Sequence, residues 1–236
     1  MEPSLAIVGA TGAVGREMLA VLEQRRFPHR ELRLLASERS TGTTLRYCNE
    51  PHPVRALSAG SLDGVDLALF AAGGSVARDL APAAAARGTT VIDNSSAFRL
   101  APGVPLVVPE INPGALRSAP LKTPRDWPGI IANPNCSTIL LLMALTPLRR
   151  AFGLERVVVS TYQAASGAGA RGMDELTTQT RTALAGGEPR PSVFHEPYAF
   201  NLFSHNTAID PRTGLNVEEQ KIIDETRKIW DDPGLR

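Results

Sequence analysis

The sequence predicts an α/β protein in which a doubly wound, mostly parallel sheet is followed by part of an α+β domain. Three observations indicate this fold: a glycine-rich turn after the first apolar run, short strand-like runs that alternate with helical patterns, and a change of pattern near Ile131. Strands that alternate with helices pair in parallel, because each helix returns the chain to the same end of the sheet. We therefore predict two domains, at 1–131 and 132–236.

The first domain begins with a strand, a tight turn and a helix. The apolar run at residues 5–8 stops at Gly9, and apolar residues at helical spacing follow over 16–23. The other elements of this domain come from the same kinds of pattern: strands at 32–36, 67–71 and 91–92 and a helix at 76–84. Together they supply the alternation of strand and helix that a doubly wound sheet requires.

A proline-rich stretch precedes the second domain. Seven prolines between 102 and 129 disfavour a helix, so we predict loops there and one short strand at 104–108. Beyond this stretch the patterns predict four further elements: a helix opening at 136–138, a β-branched strand at 157–162, a helix within 172–185 and an amphipathic helix over Val217–Trp230. Their mixed order indicates an α+β domain.

The charge balance and the cysteine count exclude several classes of function. Lys and Arg number 25 and Asp and Glu 24, so no overall basic field favours nucleic acid or an anionic membrane. No apolar run approaches the roughly 18 residues of a membrane span, and residues 1–4 lead into a strand without a signal peptide. We therefore expect a cytoplasmic protein with reduced thiols. Only Cys48 and Cys136 are present, which leaves one disulfide open but gives a metal site almost no ligands.

The glycine-rich turn at 9–15 is the candidate cofactor site. Small residues there let backbone N–H groups and the helix N-terminus approach a pyrophosphate. The candidate cofactor residues of the turn are Gly9, Thr11, Gly12, Ala13, Val14 and Gly15. The spacing is GxxGxxG rather than GxGxxG, and a tight turn without a ligand is the alternative. Its position directly after the first strand favours a dinucleotide site.

The end of the second strand indicates which dinucleotide binds. An NAD site would place an acidic side chain there against the ribose 2′-hydroxyl, whereas here Arg39 lies among the hydroxyls of Ser37 and Ser40. A guanidinium and hydroxyls can bind a 2′-phosphate through charge-assisted hydrogen bonds, so we predict NADP. The acidic Glu38 in the same segment argues against NADP, and we expect its side chain to point away from the cofactor. An ordinary polar loop is the alternative interpretation.

Cys136 is the candidate nucleophile. It follows Asn-Pro-Asn at 133–135 and precedes an apolar run at 139–143, a pattern that predicts a turn leading into a buried helix. The helix dipole favours thiolate at such a position, and the N–H groups there can stabilise an oxyanion when the sulfur adds to a carbonyl. The alternative is a small buried cysteine without a catalytic role.

Several motifs, in order along the chain, resemble those of aspartate-semialdehyde dehydrogenases. They occur at 9–15, 37–40, 93–99, 133–138 and 160–169, with further similarity at 198–203 and 218–229. The resemblance covers essentially the whole chain, and its motifs are independent of one another. It implies a Rossmann-type NADP-binding domain followed by a catalytic and dimerisation domain.

The resemblance implies reversible, NADP-dependent conversion of L-aspartyl 4-phosphate to L-aspartate 4-semialdehyde, in lysine, threonine and methionine biosynthesis. In the oxidative direction Cys136 attacks the semialdehyde, the thiohemiacetal gives hydride to NADP, and phosphate cleaves the resulting thioester. The reductive direction is expected in the cell. A homodimer is implied, with the small-molecule substrate and phosphate as its other partners.

The resemblance also gives roles to residues other than the nucleophile. Arg99 and Lys221 bind the phosphate, Glu218 meets the substrate ammonium, Gln163 orients the substrate, and Ser166 and Gly167 line the nicotinamide side. These roles fit the charges, since a phosphate needs fixed cations and an ammonium needs a carboxylate. Without the resemblance, the charged residues read as solvated surface charges, Gln163 as a polar strand end and 166–169 as a loop.

The family also has an arginine that binds the substrate carboxylate and a histidine that acts as general base, both beyond the final helix. None of the four histidines of this chain lies in that context, and the sequence stops at Arg236. We therefore expect a chain truncated at its C-terminus, with little or no turnover by itself. Similarity of 198–205 to plant and algal members leaves the plastid stroma open as a location.

Two other functions stay open. N-acetyl-glutamyl-phosphate reductase performs the same chemistry on a longer substrate, although the segments 37–40 and 218–221 favour the aspartate enzyme. A truncated, non-catalytic paralogue would keep NADP binding or a dimer surface without turnover. The presence of Cys136 argues against such a paralogue, because the nucleophile is retained. The missing histidine argues in favour of a non-catalytic paralogue.

Overall fold

The computed structural model describes residues 2–117, 129–205 and 207–235. Seven strands and five α-helices lie within these ranges. The strands are β1 Ser4–Val8, β2 Glu31–Ala36, β3 Thr44–Tyr47, β4 Glu50–Ala56, β5 Leu67–Phe70, β6 Thr90–Asp93 and β7 Ile130–Ala132. The helices are α1 Ala13–Gln24, α2 Gly74–Ala86, α3 Cys136–Phe152, α4 Gly169–Leu184 and α5 Val217–Trp230.

The strands form one sheet in the order β3-β4-β2-β1-β5-β6-β7, with β1 at its centre. Neighbouring strands are parallel except β3 and β4, which pair antiparallel. The strand order reverses at β1, because β2 lies on one side of it and β5 on the other. The predicted fold class, a doubly wound and mostly parallel sheet, is confirmed.

Apolar side chains cover both faces of this sheet. Leu5 and Ile7 of β1 belong to one buried cluster, with Leu19 of α1, whereas Ala6 and Val8 belong to the cluster that includes residues of α2. This alternation follows because successive side chains of a strand point to opposite faces. Each fully buried leucine or isoleucine contributes about 1.5–3 kcal/mol, so the core holds β1 and its following turn firmly in place.

The predicted strand at 104–108 is wrong. Leu106 forms only an isolated bridge with Ala132 of β7. The N–H of Val107 donates to the carbonyl oxygen of Ala132 at 3.1 Å, and the N–H of Ala132 donates to that of Pro105 at 2.9 Å. The ladder cannot extend beyond these two bonds, because Pro105 on one side and Pro109 and Pro134 on the other have no N–H to donate. The segment therefore remains a loop beside β7.

The predicted strand at 157–162 is also wrong, since no ladder includes these residues. Val158 and Tyr162 are 86% and 83% exposed. A strand needs a neighbour for its backbone N–H and C=O groups, and no described strand lies alongside this one. The β-branched residues favour an extended backbone, but no strand among the described residues pairs with this segment.

The hairpin of β3 and β4 is not predicted by the sequence patterns. Its two-residue turn consists of Cys48 and Asn49, whose φ angles are +50° and +66°. Two successive positive φ values are typical of the tight turns that match the twist of a hairpin. Pro51 and Pro53 lie within β4 and obscure it in the sequence, because proline cannot donate to a ladder.

The chain forms two compact units, Met1–Val157 with Ile222–Arg236, and Val158–Lys221. The first contains the sheet, α1 to α3 and the second part of α5, and the second contains α4 and the first turn of α5. The functional division after Ile131 stays a prediction. Among the described residues, no helix combines the length and apolar character that crossing a bilayer requires.

Candidate active site

The predicted cofactor turn and the predicted nucleophile both follow carboxyl ends of parallel strands. The glycine-rich turn comes after β1, and the turn that leads to Cys136 comes after β7. Parallel strands of one sheet end at the same edge, and doubly wound sheets bind their ligands outside that edge. The two candidate features therefore lie along one edge of one sheet.

Close packing of the backbone requires glycine at both ends of the cofactor turn. Gly9 has a φ of +87°, and a Cβ there would lie 2.9 Å from the backbone of Ala71. A Cβ on Gly15 would lie only 2.2 Å from the carbonyl oxygen of Gly9. The strand, the turn and the helix thus meet backbone to backbone, and no larger residue fits between them.

The N-terminus of α1 is open to an anion. Its N-cap is Gly12, which is exposed and offers no side-chain acceptor to the first N–H groups of the helix. Uncapped N–H groups and the positive end of the helix dipole together bind phosphates well. The small side chain of Ala13 and the exposed Val14 leave this backbone accessible. The turn therefore fits a pyrophosphate.

The segment after β2 lies beside the glycine-rich turn. Thr11 Oγ1 donates a hydrogen bond to Ser40 Oγ at 3.3 Å, which links the two segments. Ser37 and Arg39 are exposed. Within the described part of the chain the Arg39 guanidinium has no hydrogen-bond or ion-pair partner. A cation and hydroxyls are therefore available next to the turn, as a 2′-phosphate would require.

Cys136 is the first residue of α3 and is exposed, so a solute can reach its sulfur. The helix start behind it is capped, because Asn135 Oδ1 accepts from the N–H groups of Ser137 and Thr138 at 2.9 and 3.3 Å. Those two N–H groups are thus already used. The N–H of Cys136 itself is the remaining backbone donor at the start of α3, which narrows the predicted oxyanion site to fewer backbone N–H groups.

Arg99 lies under the turn that precedes Cys136 and is 8% exposed. Its guanidinium donates to the carbonyl oxygens of Asn133 and Asn94 at 2.9 and 3.1 Å, and to Glu225 Oε1 at 3.0 Å. The second oxygen of Glu225 accepts the N–H of Asn135 at 2.6 Å. One buried carboxylate therefore joins Arg99 to the residue directly before Cys136.

Lys228 supports the backbone that carries Arg99. Its Nζ donates to the carbonyl oxygens of Arg99, Ala101 and Val104 at 2.7, 3.3 and 2.9 Å. Burial of the ammonium lowers the pKa of Lys228, because leaving water disfavours the charged form. Helix α5 thus holds both the side chain and the backbone of Arg99.

Glu218 and Lys221 lie in the first turn of α5, within the second compact unit. Lys221 Nζ is 3.2 Å from Glu218 Oε2, and His205 Nε2 lies 3.9 Å from the same oxygen. The Glu218 side chain is 9% exposed and that of Lys221 is 31% exposed. Glu218, which the resemblance assigns to the substrate ammonium, and Lys221, which it assigns to the phosphate, are therefore adjacent to each other.

Gln163, Ser166 and Gly167 also belong to the second unit. The carbonyl oxygen of Gln163 accepts a hydrogen bond from Tyr198 Oη at 2.6 Å. Ser166 and Gly167 are exposed, and a Cβ on Gly167 would meet nothing within 4 Å. The packing of the chain itself therefore does not require glycine at position 167.

The buried side chains of α4 fix the loop that contains Tyr198. Glu175 accepts hydrogen bonds from Ser192 Oγ and from the N–H groups of Ser192, Val193 and Phe194. Burial alone would raise the pKa of Glu175, but these hydrogen bonds to the carboxylate outweigh it and lower the pKa. Glu175 is therefore held as a carboxylate.

Sequence reasoning missed the supporting residues Glu225, Lys228 and Tyr198. One signal for the first was available, because Glu225 follows Lys221 by four residues and so lies on the same face of α5. Nothing local indicates that this carboxylate meets Arg99, which is 126 residues earlier in the chain. Such a pairing becomes visible only once the sheet and α5 are assembled.

Two family models match the chain. Residues 4–119 match the model described as the NAD binding domain of semialdehyde dehydrogenase, and residues 145–236 match its dimerisation domain. An aspartate-semialdehyde dehydrogenase from Synechocystis is 48% identical over 96% of this chain and 64% of its own length. The chain thus spans about two thirds of the length of such curated relatives.

Solved structures give the same family. Aspartate semialdehyde dehydrogenase II from Vibrio cholerae, complexed with ASA, has a TM-score of 0.91 and 45% identity, covering 100% of this chain and 68% of that one. The Candida albicans enzyme with NADP has a TM-score of 0.59 and 28% identity, covering 74% of this chain and 54% of that one. Taken with the confirmed fold, these similarities show that the chain belongs to the aspartate-semialdehyde dehydrogenase family.

Proposed function

We propose that this protein catalyses the reversible, NADP-dependent conversion of L-aspartyl 4-phosphate to L-aspartate 4-semialdehyde, with Cys136 as the nucleophile. The observation that carries the proposal is the exposed Cys136 at the start of α3, on the sheet edge that also carries the glycine-rich turn. Membership of the family supplies the substrate. The reductive direction would serve lysine, threonine and methionine biosynthesis.

In the reductive direction the Cys136 sulfur attacks the acyl carbon, the bond from that carbon to the phosphate oxygen breaks, and phosphate leaves. A thioester on Cys136 results. When NADPH is bound at the glycine-rich turn, it supplies the hydride that reduces this thioester. The C–S bond then breaks, a proton returns to the sulfur, and the aldehyde is released. The Cys136 N–H is the backbone donor on α3 that can stabilise the oxyanion.

Arg99 and Lys221 are proposed to bind the phosphate, and Glu218 to bind the substrate ammonium, with Gln163 orienting the acyl group. Glu218 and Lys221 support this assignment because they form an ion pair, with 3.2 Å between Lys221 Nζ and Glu218 Oε2. A substrate that carries both an ammonium and a phosphate can replace this ion pair with one contact to each residue. The ammonium would take the carboxylate and the phosphate would take the lysine. Arg99 supports it as a buried cation next to the nucleophile turn.

NADP is proposed as the cofactor, held at Gly9, Thr11 and the uncapped start of α1, with Ser37, Arg39 and Ser40 on the 2′-phosphate. Ser166 and Gly167 are proposed to line the nicotinamide, where the open space above Gly167 allows close approach. A homodimer is proposed as well. The match of 145–236 to a dimerisation domain supports it.

The test is acylation of Cys136. Incubation with L-aspartate 4-semialdehyde and NADP, without phosphate, should form NADPH and leave an aspartyl thioester on Cys136 that mass spectrometry of peptides can locate. Cys136→Ala should lower the rate of NADPH formation by roughly 10⁴-fold or more. Formation of NADPH by Cys136→Ala at the rate of the unaltered protein would contradict the proposal.

The same assay separates the alternatives. N-acetyl-glutamate 5-semialdehyde should react far more slowly than the aspartate compound, and a faster reaction would favour the reductase of the longer substrate. A non-catalytic paralogue would bind NADP and leave Cys136 unmodified with both aldehydes.

A further inference from the structure

We propose that Glu225 is a positioning residue that fixes the turn carrying Cys136 against Arg99. The inference rests on the proposed function, because the placement of the sulfur affects turnover only if Cys136 is the nucleophile. Glu225 is 1% exposed, so both of its oxygens must find partners inside the protein. Oε1 accepts from Arg99 at 3.0 Å, and Oε2 accepts from the N–H of Asn135 at 2.6 Å.

Asn135 transmits the position of this carboxylate to the helix. Its backbone N–H is held by Glu225, and its side-chain oxygen accepts from the N–H groups of Ser137 and Thr138. Cys136 therefore lies between two residues that the same hydrogen-bond network fixes. A displacement of Asn135 would move the sulfur, because the two are consecutive in the chain.

Only a carboxylate satisfies both neighbours of residue 225. The N–H of Asn135 and the guanidinium of Arg99 are both donors, so residue 225 must present an acceptor on each side. A glutamine presents one acceptor and one N–H₂ group. In Glu225→Gln, the N–H₂ group would face a donor, either at Asn135 or at Arg99, and that contact would open.

The neighbouring contacts of α5 have a different consequence. Lys228 holds carbonyl oxygens of the loop at 99–104, and Trp230 Nε1 donates to Thr146 Oγ1 at 3.0 Å in the middle of α3. Neither contact touches the turn before Cys136. Loss of the Trp230 contact should therefore weaken the packing of α5 on α3 without moving the sulfur.

The experiment compares Glu225→Gln with Thr146→Val, which removes the acceptor of Trp230 on the same two helices. Each protein is treated with iodoacetamide at neutral pH, and the alkylation rates of Cys136 and Cys48 are measured by mass spectrometry. Cys48 is exposed in the distant β3–β4 turn and serves as the internal reference. Circular dichroism confirms that each variant is folded at the temperature used.

We expect Glu225→Gln to lower the ratio of the Cys136 rate to the Cys48 rate by roughly fivefold, because a displaced sulfur loses the helix dipole. Thr146→Val should lower the melting temperature and leave the ratio within twofold. In the acylation assay, Glu225→Gln should lower the single-turnover rate of thioester formation on Cys136 by roughly 10²-fold, as misplacement of a reacting group does, with the affinity for NADP unchanged.

A ratio in Glu225→Gln within twofold of that in the unaltered protein would overturn the proposal, as would an equal fall in Thr146→Val. If Glu225→Gln does not fold, Glu225→Asp takes its place, since the shorter carboxylate cannot reach both partners, and the same fall is expected. Failure of the proposed function is recognised separately, because Cys136 of the unaltered protein would then form no thioester with the aldehyde and NADP.

Discussion

Substitution of Gly15 by alanine should destabilise the protein, because the added Cβ would clash with the backbone of Gly9 and Ala10. The added Cβ would lie 2.2 Å from the carbonyl oxygen of Gly9, where ordinary van der Waals contact begins at 3.4 Å, so about 1.2 Å of movement is needed. Neither side can rotate away, because the obstacle is backbone. Such overpacking costs about 3 kcal/mol, the upper part of the usual range. Alanine in a helix regains about 1 kcal/mol relative to glycine, which leaves a net loss of about 2 kcal/mol.

For a chain of 236 residues this loss corresponds to a fall in melting temperature of about 4–8 °C. Thermal unfolding followed by circular dichroism measures it, and the same samples can be titrated with NADP, whose affinity should fall because the turn is displaced. The control is Gly167→Ala, where a Cβ meets nothing within 4 Å and the stability change should stay within about 0.5 kcal/mol. Equal melting temperatures for Gly15→Ala and the unaltered protein would refute the steric argument.

Three further predictions follow from the described contacts. Arg39→Ala should weaken NADP binding by about 10- to 100-fold and leave NAD binding unchanged, since only the 2′-phosphate loses a charge-assisted hydrogen bond; isothermal titration with both dinucleotides measures this. The lowered pKa of Glu175 should stabilise the folded protein fully above the ordinary glutamate pKa of about 4.3. This stabilisation should be lost as the pH falls through the lowered pKa of the folded state. The free energy of unfolding of Glu175→Gln should therefore change less with pH over that interval. Tyr198→Phe removes the donor to the Gln163 carbonyl oxygen and should raise the aldehyde concentration that half-saturates acylation of Cys136 by roughly 3- to 10-fold, measured by the single-turnover rate of NADPH formation.

Each of these has an outcome that contradicts it. Equal losses of NADP and NAD affinity in Arg39→Ala would show that the residue supports the fold rather than the 2′-phosphate. An identical acid dependence of stability in Glu175→Gln would show that the hydrogen bonds at 192–194 do not hold the carboxylate charged. An unchanged half-saturating aldehyde concentration in Tyr198→Phe would show that Gln163 is fixed by other contacts.

The parts of the fold that the sequence predicts are those that local patterns determine. The apolar run before Gly9 forms the predicted buried strand, and the apolar run after Cys136 forms a helix. The expected burial of that helix is wrong for one of its faces, since Leu142 is fully buried but Leu140 is 73% exposed. The segment at 157–162 has the same β-branched character as a strand, but a strand depends on a partner that local pattern does not reveal. The β3–β4 hairpin is not predicted because Pro51 and Pro53 disfavour a strand in the local pattern. The strand forms nevertheless, because β3 pairs with it.

The candidate site divides in the same way. The turn at 9–15 and Cys136 could be predicted because the residues that indicate their chemistry are consecutive in the sequence. The link from Arg99 through Glu225 to Asn135 could not, because it joins segments far apart in the chain and each member alone resembles an ordinary charged or polar residue. Residues that bind are thus easier to find from sequence than residues that hold the binding residues in place.

The two helix starts on the sheet edge should respond differently to ionic strength. The bare start of α1 attracts a solvent-exposed anion through partial charges that dissolved salt screens over about 8 Å at physiological concentration. The start of α3 is tied by short hydrogen bonds to a buried carboxylate, which salt ions do not reach. Raising the salt concentration should therefore loosen the dinucleotide while the reactivity of Cys136 toward an uncharged reagent stays constant, so that salt alone can separate cofactor affinity from nucleophile placement.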